Sequence, residues 1–304
     1  LCAGAPRAGR YFVPFALTEL NLGKLNNIEV PGTREGGLFM ENRREIFVRT
    51  LLSVSFLVMI VLNVLADLLP LGGRTTGQIS DAYQTLFAPE GYTFLIWGLI
   101  YLLGAVHVLY QLGVFRGRSD PENGKLLRSI AVLFSVSSLA NAGWILAWHF
   151  NNIPLSMALM AVILILLMLI MEALRRKSLT TREKLLVRLP FSVYFGWITV
   201  ATIANAAALL VSLGWDRWGL SESFWMVVML IAGVLIGALW IHRARDLAYA
   251  LVLIWAYAGI LVKHFTTFAG KYPGVIAVTT LCLAALVVDI AYVKLPERRK
   301  ANAV

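Results

Sequence analysis

From about residue 40 the chain alternates between long apolar stretches and short polar connections. The stretches lie at about 49–69, 91–114, 128–149, 153–174, 190–213, 223–242, 247–263 and 273–293. Each is close to the ~20 residues that span a hydrocarbon core of ~30 Å. Inside hydrocarbon every backbone N–H and C=O must bond within its own segment, so the pattern predicts an all-α integral membrane protein of about eight transmembrane helices.

Composition points the same way. The 304 residues are 59% hydrophobic and 14% charged, with a mean hydropathy of +0.75, where a soluble chain is roughly half apolar and a quarter charged. This excludes a soluble enzyme and a disordered tail. The two cysteines, Cys2 and Cys282, cannot carry a disulfide framework.

A formal net charge of +10 would suit a nucleic-acid partner if the basic residues formed a patch. They do not. Assigning loops alternately to the two sides of eight spans puts nineteen Lys and Arg on one side, in five short clusters at 43–49, 116–128, 175–188, 243–245 and 294–300. The other side receives four: Arg74, Arg217, Lys263 and Lys271. The asymmetry predicts a multi-pass protein of the cytoplasmic (inner) membrane with both termini on the cytoplasmic side, the bilayer as its main partner and no nucleic acid.

Residues 1–39 hold no sustained apolar run and make a poor signal peptide. Glu35-Gly36-Gly37 can be encoded by the purine-rich AAGGAGG of a bacterial ribosome-binding site, with Met40 just downstream. The expectation is that 1–39 are a non-native leader or disordered and that translation starts at Met40.

Polar side chains inside the spans are the candidates for function, because burying them in hydrocarbon is costly unless they are paired or face a ligand. Asn141, Trp144 and Trp148 fall at i, i+3 and i+7 on one helical face, and Tyr194, Trp197, Ala201 and Asn205 repeat the arrangement in the fifth span. In the second span Trp97 and Tyr101 lie one turn apart behind Phe87-Ala88-Pro89-Glu90-Gly91. Such an amide either ties neighbouring helices together or faces a guest, and spacing alone leaves both open.

Other positions carry weaker signals. His107 has no second His or Cys at ligand spacing on its helix, so no metal site is expected. Asp67, Asp289 and Asn63 would be the groups of an alternative reading, an ion-coupled secondary transporter of a small solute. Gly233 and Gly237 form a GxxxG that favours close packing on the seventh or eighth span over dimerisation. Trp215, Trp218, Tyr272 and Tyr292 read as a headgroup belt. No nucleophile elbow, HExxH or phosphate loop occurs, so no catalytic residue is assigned and the chain is not expected to be an enzyme.

Together the three aromatic segments resemble the tryptophan-rich sensory protein family, also called translocator protein or TspO/MBR. The second-helix motif reads Phe87-Ala-Pro-Glu-Gly-Tyr-Thr-Phe-Leu-Ile-Trp97-Gly-Leu-Ile-Tyr101, and the third-helix Asn-x-x-Trp is Asn141 and Trp144. The fifth-helix Tyr-x-x-Trp-x-x-x-Ala-Thr-x-x-Asn is met by Tyr194, Trp197, Ala201, Thr202 and Asn205. The resemblance covers about 49–213. It implies a five-helix bundle within 40–213 around a hollow that takes porphyrins or other flat, largely apolar molecules, and cholesterol in animal members. The walls it implies are Trp97, Tyr101, Asn141, Trp144, Tyr194, Trp197 and Asn205.

Two departures bear on the mouth of that hollow: a single proline, Pro89, stands where the family has a double one, and Pro190 lies upstream of Tyr194. Residues 214–304 are a three-helix membrane extension with a basic tail, as in larger bacterial relatives, and it packs laterally, replaces a homodimer partner or forms a second functional unit. The expected role is a membrane receptor, sensor or transporter-like protein for a tetrapyrrole or lipid-like ligand, with no required cofactor and a homodimer among the expected partners. Porphyrin breakdown by pocket tryptophans is a third reading, for which the residues supply no general acid or base beyond tyrosines.

Overall fold

The structure is a computed structural model that describes residues 33–69, 73–83, 85–115 and 123–301. The leader expectation therefore falls, for residues 1–32, outside the described residues. The helix that follows begins at Thr33, ahead of Met40. The chain divides between Arg44 and Glu45, and residues 45–304 form one compact unit.

The helices are α1 (Thr33–Leu68), α2 (Thr76–Ala82), α3 (Ile96–Leu112), α4 (Gly124–His149), α5 (Ile153–Arg175), the single turn α6 (Thr181–Glu183), α7 (Leu189–Ser212), α8 (Glu222–Ala244), α9 (Leu247–Phe265) and α10 (Pro273–Ala301). Among the described residues eight helical segments are long and apolar enough to cross a membrane: α1, α3, α4, α5, α6 together with α7, α8, α9 and α10. The protein is thus a multi-pass membrane protein, as the hydropathy pattern predicts.

Each span has one face for protein and one for lipid. On α1, Leu52, Phe56, Met59, Asn63 and Ala66 are buried while Leu57, Val61, Val64, Leu65 and Leu68 are exposed. Large apolar side chains exposed along a whole helix face are intelligible only with acyl chains as solvent.

The connections are short and capped. Asn151 takes a positive φ of 58° and the Asn152 side chain accepts from the Leu155 N–H (3.2 Å), so α4 turns directly into α5 with Pro154 in its first turn. Thr180 and Glu183 form a reciprocal capping box ahead of α7. A π turn over Lys184–Arg188 joins α6 to α7. Pro190, just inside α7, has no N–H with which to reach the Leu186 carbonyl one turn back. His107 of α3 fills that gap, its Nδ1 lying 3.1 Å from Leu186 O, so this histidine is a structural donor between helices.

Polar bonds at the two ends agree with the alternating topology. At one end Arg128 Nη2 donates to Glu45 (3.2 Å), Asn123 Nδ2 to Glu183 (2.9 Å), Arg243 Nη2 to Glu172 (3.2 Å) and Arg188 Nη2 to Ala244 O (2.7 Å). At the other, Arg74 Nη2 donates to Asn151 Oδ1 (3.3 Å) and the Thr266 and Thr267 hydroxyls to Glu90 (3.3 and 2.9 Å).

α4 packs on α5, α5 on α7, α3 on α7, and α7 on α9, while α10 seals α8 and α9 from outside. The GxxxG resolves as intramolecular packing: a Cβ at Gly233 or Gly237 would collide with Tyr257 and Leu253 of α9. The last three helices share the core of the first five through α7 and α9.

Candidate ligand-binding site

The sequence-designated side chains meet at the α4, α3 and α7 interface near the end carrying α2. Trp97 is the hub. Its ring stacks on Tyr101 (centroids 5.7 Å, 22°), lies 5.6 Å from Trp144, and meets Tyr194 and Trp197 edge-on at 6.1 and 6.2 Å. Trp148 stacks on Trp144 at 6.1 Å, and Phe94 meets Trp197 at 5.8 Å. Offset and edge-on geometries put ring edges against ring faces, which the aromatic quadrupole favours.

These contacts leave little open space where the hollow was expected. Because the rings fill the space with one another, the chamber they enclose has a volume of about 40 Å³. That suffices for a water or two, not for a planar guest. Four of the seven expected residues line it: Trp97, Trp144, Trp197 and Asn205. The other three stand behind. Asn63 Nδ2 donates to Asn141 Oδ1 (2.8 Å) and Asn141 Nδ2 to the Tyr194 hydroxyl (2.9 Å), so the Asn141 amide is spent on joining α1, α4 and α7. Tyr101 backs Trp97, and Tyr194 faces a separate void of about 10 Å³ beside His107.

The lining also holds residues that sequence reasoning missed or left out: Thr76, Ser80, Pro89, Phe94, Trp148 and Met160. Trp148 shares the helical face of Asn141 and Trp144, a signal already present in the spacing. Ser156 of α5 carried none, yet its hydroxyl donates to Asn205 Oδ1 (2.8 Å), alongside Trp144 Nε1 (3.1 Å). Two donors on the oxygen fix the amide's orientation and leave its nitrogen facing inward. Asn205 Nδ2 and Trp197 Nε1 are both buried without a partner. A buried unpaired N–H costs about 1–3 kcal/mol, and here two line one small chamber.

The connection between α1 and α3 roofs this chamber, and α9 straps it down. Thr75 and Gln78 form a capping box on α2, and Asp67 at the end of α1 accepts from the Thr76 N–H (3.1 Å) and hydroxyl (2.9 Å). Trp148 Nε1 donates to Thr76 O (3.2 Å). From α9, Lys263 forms an ion pair with Asp81, His264 Nε2 lies 3.1 Å from Leu86 O, and Trp255 Nε1 donates to Thr93 O (3.0 Å). The Glu90 N–H donates to Gly259 O (3.1 Å), an approach a Cβ at Gly259 would block through Thr93. Burial pushes the Glu90 carboxyl up, but bonds from Thr267, the Gly91 N–H and Thr266 and the charge of Lys263 outweigh it and hold the group below its ordinary range.

The transporter groups do not converge. Asp67 is committed to Thr76, Asn63 to Asn141, and Asp289 to His242 (3.0 Å) at the opposite end of the bundle. Among the described residues no three His, Cys, Asp or Glu side chains cluster as a metal site.

Fold and site thus define a multi-pass helical membrane protein with a buried aromatic chamber under a strapped loop. The sequence model of the family described as TSPO-like protein matches residues 49–293, and the chain belongs to that family. The match runs on through the last three helices, well beyond the 49–213 expected from the motifs. No curated protein and no solved structure matches the chain significantly. Family membership supports a receptor- or transporter-type role in the membrane.

Proposed function

We propose that the chamber between α3, α4 and α7 is the binding site of a flat, largely apolar ligand of the tetrapyrrole or lipid-like kind, which the protein senses or moves without chemical conversion. One observation carries this reading: Trp197 Nε1 and Asn205 Nδ2, two buried donors without acceptors, line a chamber walled by four tryptophans. A guest with a carbonyl or carboxylate at its rim would accept from both, while the indole faces cover its plane.

Binding requires the rings to separate. The roof is the part that must lift, against both its polar bonds to α9 and the buried Ile79, Leu86 and Phe87. The protein acts in the cytoplasmic membrane with both termini inside, which puts the roof on the outer face. No cofactor takes part.

The test is a titration of the detergent-purified protein with protoporphyrin IX, read by quenching of tryptophan fluorescence. Saturable quenching is expected. Trp197→Phe, which keeps a ring but removes the free donor, weakens affinity roughly five- to tenfold, the worth of one hydrogen bond of about 1 kcal/mol, at unchanged helical circular dichroism. Absence of saturable quenching by protoporphyrin or by a planar sterol probe contradicts the proposal.

A further inference from the structure

Beside the aromatic chamber, α7 and α8 stand apart around a cleft of about 550 Å³, which Ala82, Tyr83, Thr85 and Leu86 of the roof also line. That lies within the ~300–1,000 Å³ of small-molecule sites and is an order of magnitude larger than the chamber. Its walls are apolar and partly small, with Ala206 and Leu210 from α7 and Met229 and Ala232 from α8. Its floor closes where Ile203 reaches Gly233. From Glu222 to Ala232 the wall is about 15 Å of helix, half the ~30 Å hydrocarbon thickness, so the cleft is one leaflet deep.

The mouth is charged on both signs. Arg217 and Glu222 both line the cleft, and among the described residues neither has an ion-pair partner, in the other or elsewhere. The neighbouring Asp216 caps the turn, accepting from the Trp218 N–H at 2.9 Å, and is not among the residues that line the cleft. Trp225 Nε1 holds Arg217 O at 2.9 Å, and the mutually edge-on rings of Trp215, Trp218 and Trp225 (centroids 4.8–5.6 Å) fix this loop at headgroup level.

We propose that this cleft is a separate binding site for a phospholipid with a zwitterionic head: phosphate on Arg217, ammonium on Glu222 and one acyl chain lying between α7 and α8 to the bilayer midplane. Water would be an unfavourable filler for walls of this composition, whereas an acyl chain matches both their depth and their chemistry. The paired but separate charges select a head that carries both signs over one that is only anionic.

The experiment is native mass spectrometry of the full-length protein, delipidated in detergent and titrated with palmitoyl-oleoyl phosphatidylethanolamine, the corresponding phosphatidylglycerol, and free phosphoethanolamine. Wild type should retain one phosphatidylethanolamine at about tenfold lower concentration than phosphatidylglycerol, and no free headgroup. Glu222→Gln should erase the preference, and Arg217→Gln should weaken both lipids. Ala232→Trp, or Leu210→Trp should the first not fold, should abolish the retained lipid while protoporphyrin quenching persists. Equal retention of the two lipids by wild type, retention of the free headgroup alone, or undiminished binding by a folded cleft-filling variant overturns the proposal.

Discussion

Pro190 leaves the Leu186 carbonyl without its helical donor, and His107 supplies one from another helix. Replacing His107 by Phe keeps the volume but strands that carbonyl without a donor between the helices, so stability should fall by about 1–3 kcal/mol. Adding Pro190→Ala restores an N–H at position 190, and the double variant should recover part of the loss. Denaturant titration in detergent checks the cycle, and additive losses would contradict it. The same accounting separates the asparagines. Helical spacing put Asn141 and Asn205 on inward faces, which they occupy, but it carried no information about which partners three other helices would bring. Both polar atoms of the Asn141 amide are bonded, to Asn63 and Tyr194, whereas the Asn205 Nδ2 has no partner.

The element with the most consequence for access is the roof formed by α2 and the turns after it. It was the least legible part of the sequence. Its seven-residue helix has no apolar periodicity to read, and its bonds come from residues nearly two hundred positions away. Lys263 looked like a loop cation at the end of an apolar run, yet it is buried and paired with Asp81. Asp81→Asn should loosen the strap and raise the association rate of protoporphyrin severalfold, measured by stopped-flow quenching, with little change at equilibrium. Glu90 gives the strap a pH dependence. Its carboxyl sits lower in the folded state than in the unfolded chain, so its contribution is complete above the ordinary carboxylate range and is lost as pH falls through the folded value. Thermal midpoints taken from pH 7 down to pH 3 should therefore decline more steeply for wild type than for Glu90→Gln, and parallel curves would remove Glu90 from the strap.

At the scale of the molecule, the eight spans were readable because bilayer thickness sets helix length and the basic residues divide nineteen to four between the sides. What hydropathy could not give was the packing of the last three helices, since lipid-facing and protein-facing apolar residues look alike in sequence. α9 packs directly on α7 and bonds to the roof, so the extension is built into the surroundings of the chamber instead of standing beside it. The topology itself predicts that a reporter active only in the cytoplasm works when fused after Lys294 and fails when inserted at Gly214; the reverse pattern would invert the assignment of sides.

The most direct measurement of the whole account locks the roof. In a background of Cys2→Ser and Cys282→Ser, Asp81→Cys and Lys263→Cys would be bridged by a cleavable bis-methanethiosulfonate and the protein titrated with protoporphyrin IX before and after reduction. The account predicts that quenching is lost or slowed at least tenfold in the bridged protein and returns when the bridge is cut. Equal binding in both states would mean that the ligand does not enter the aromatic chamber beneath this loop.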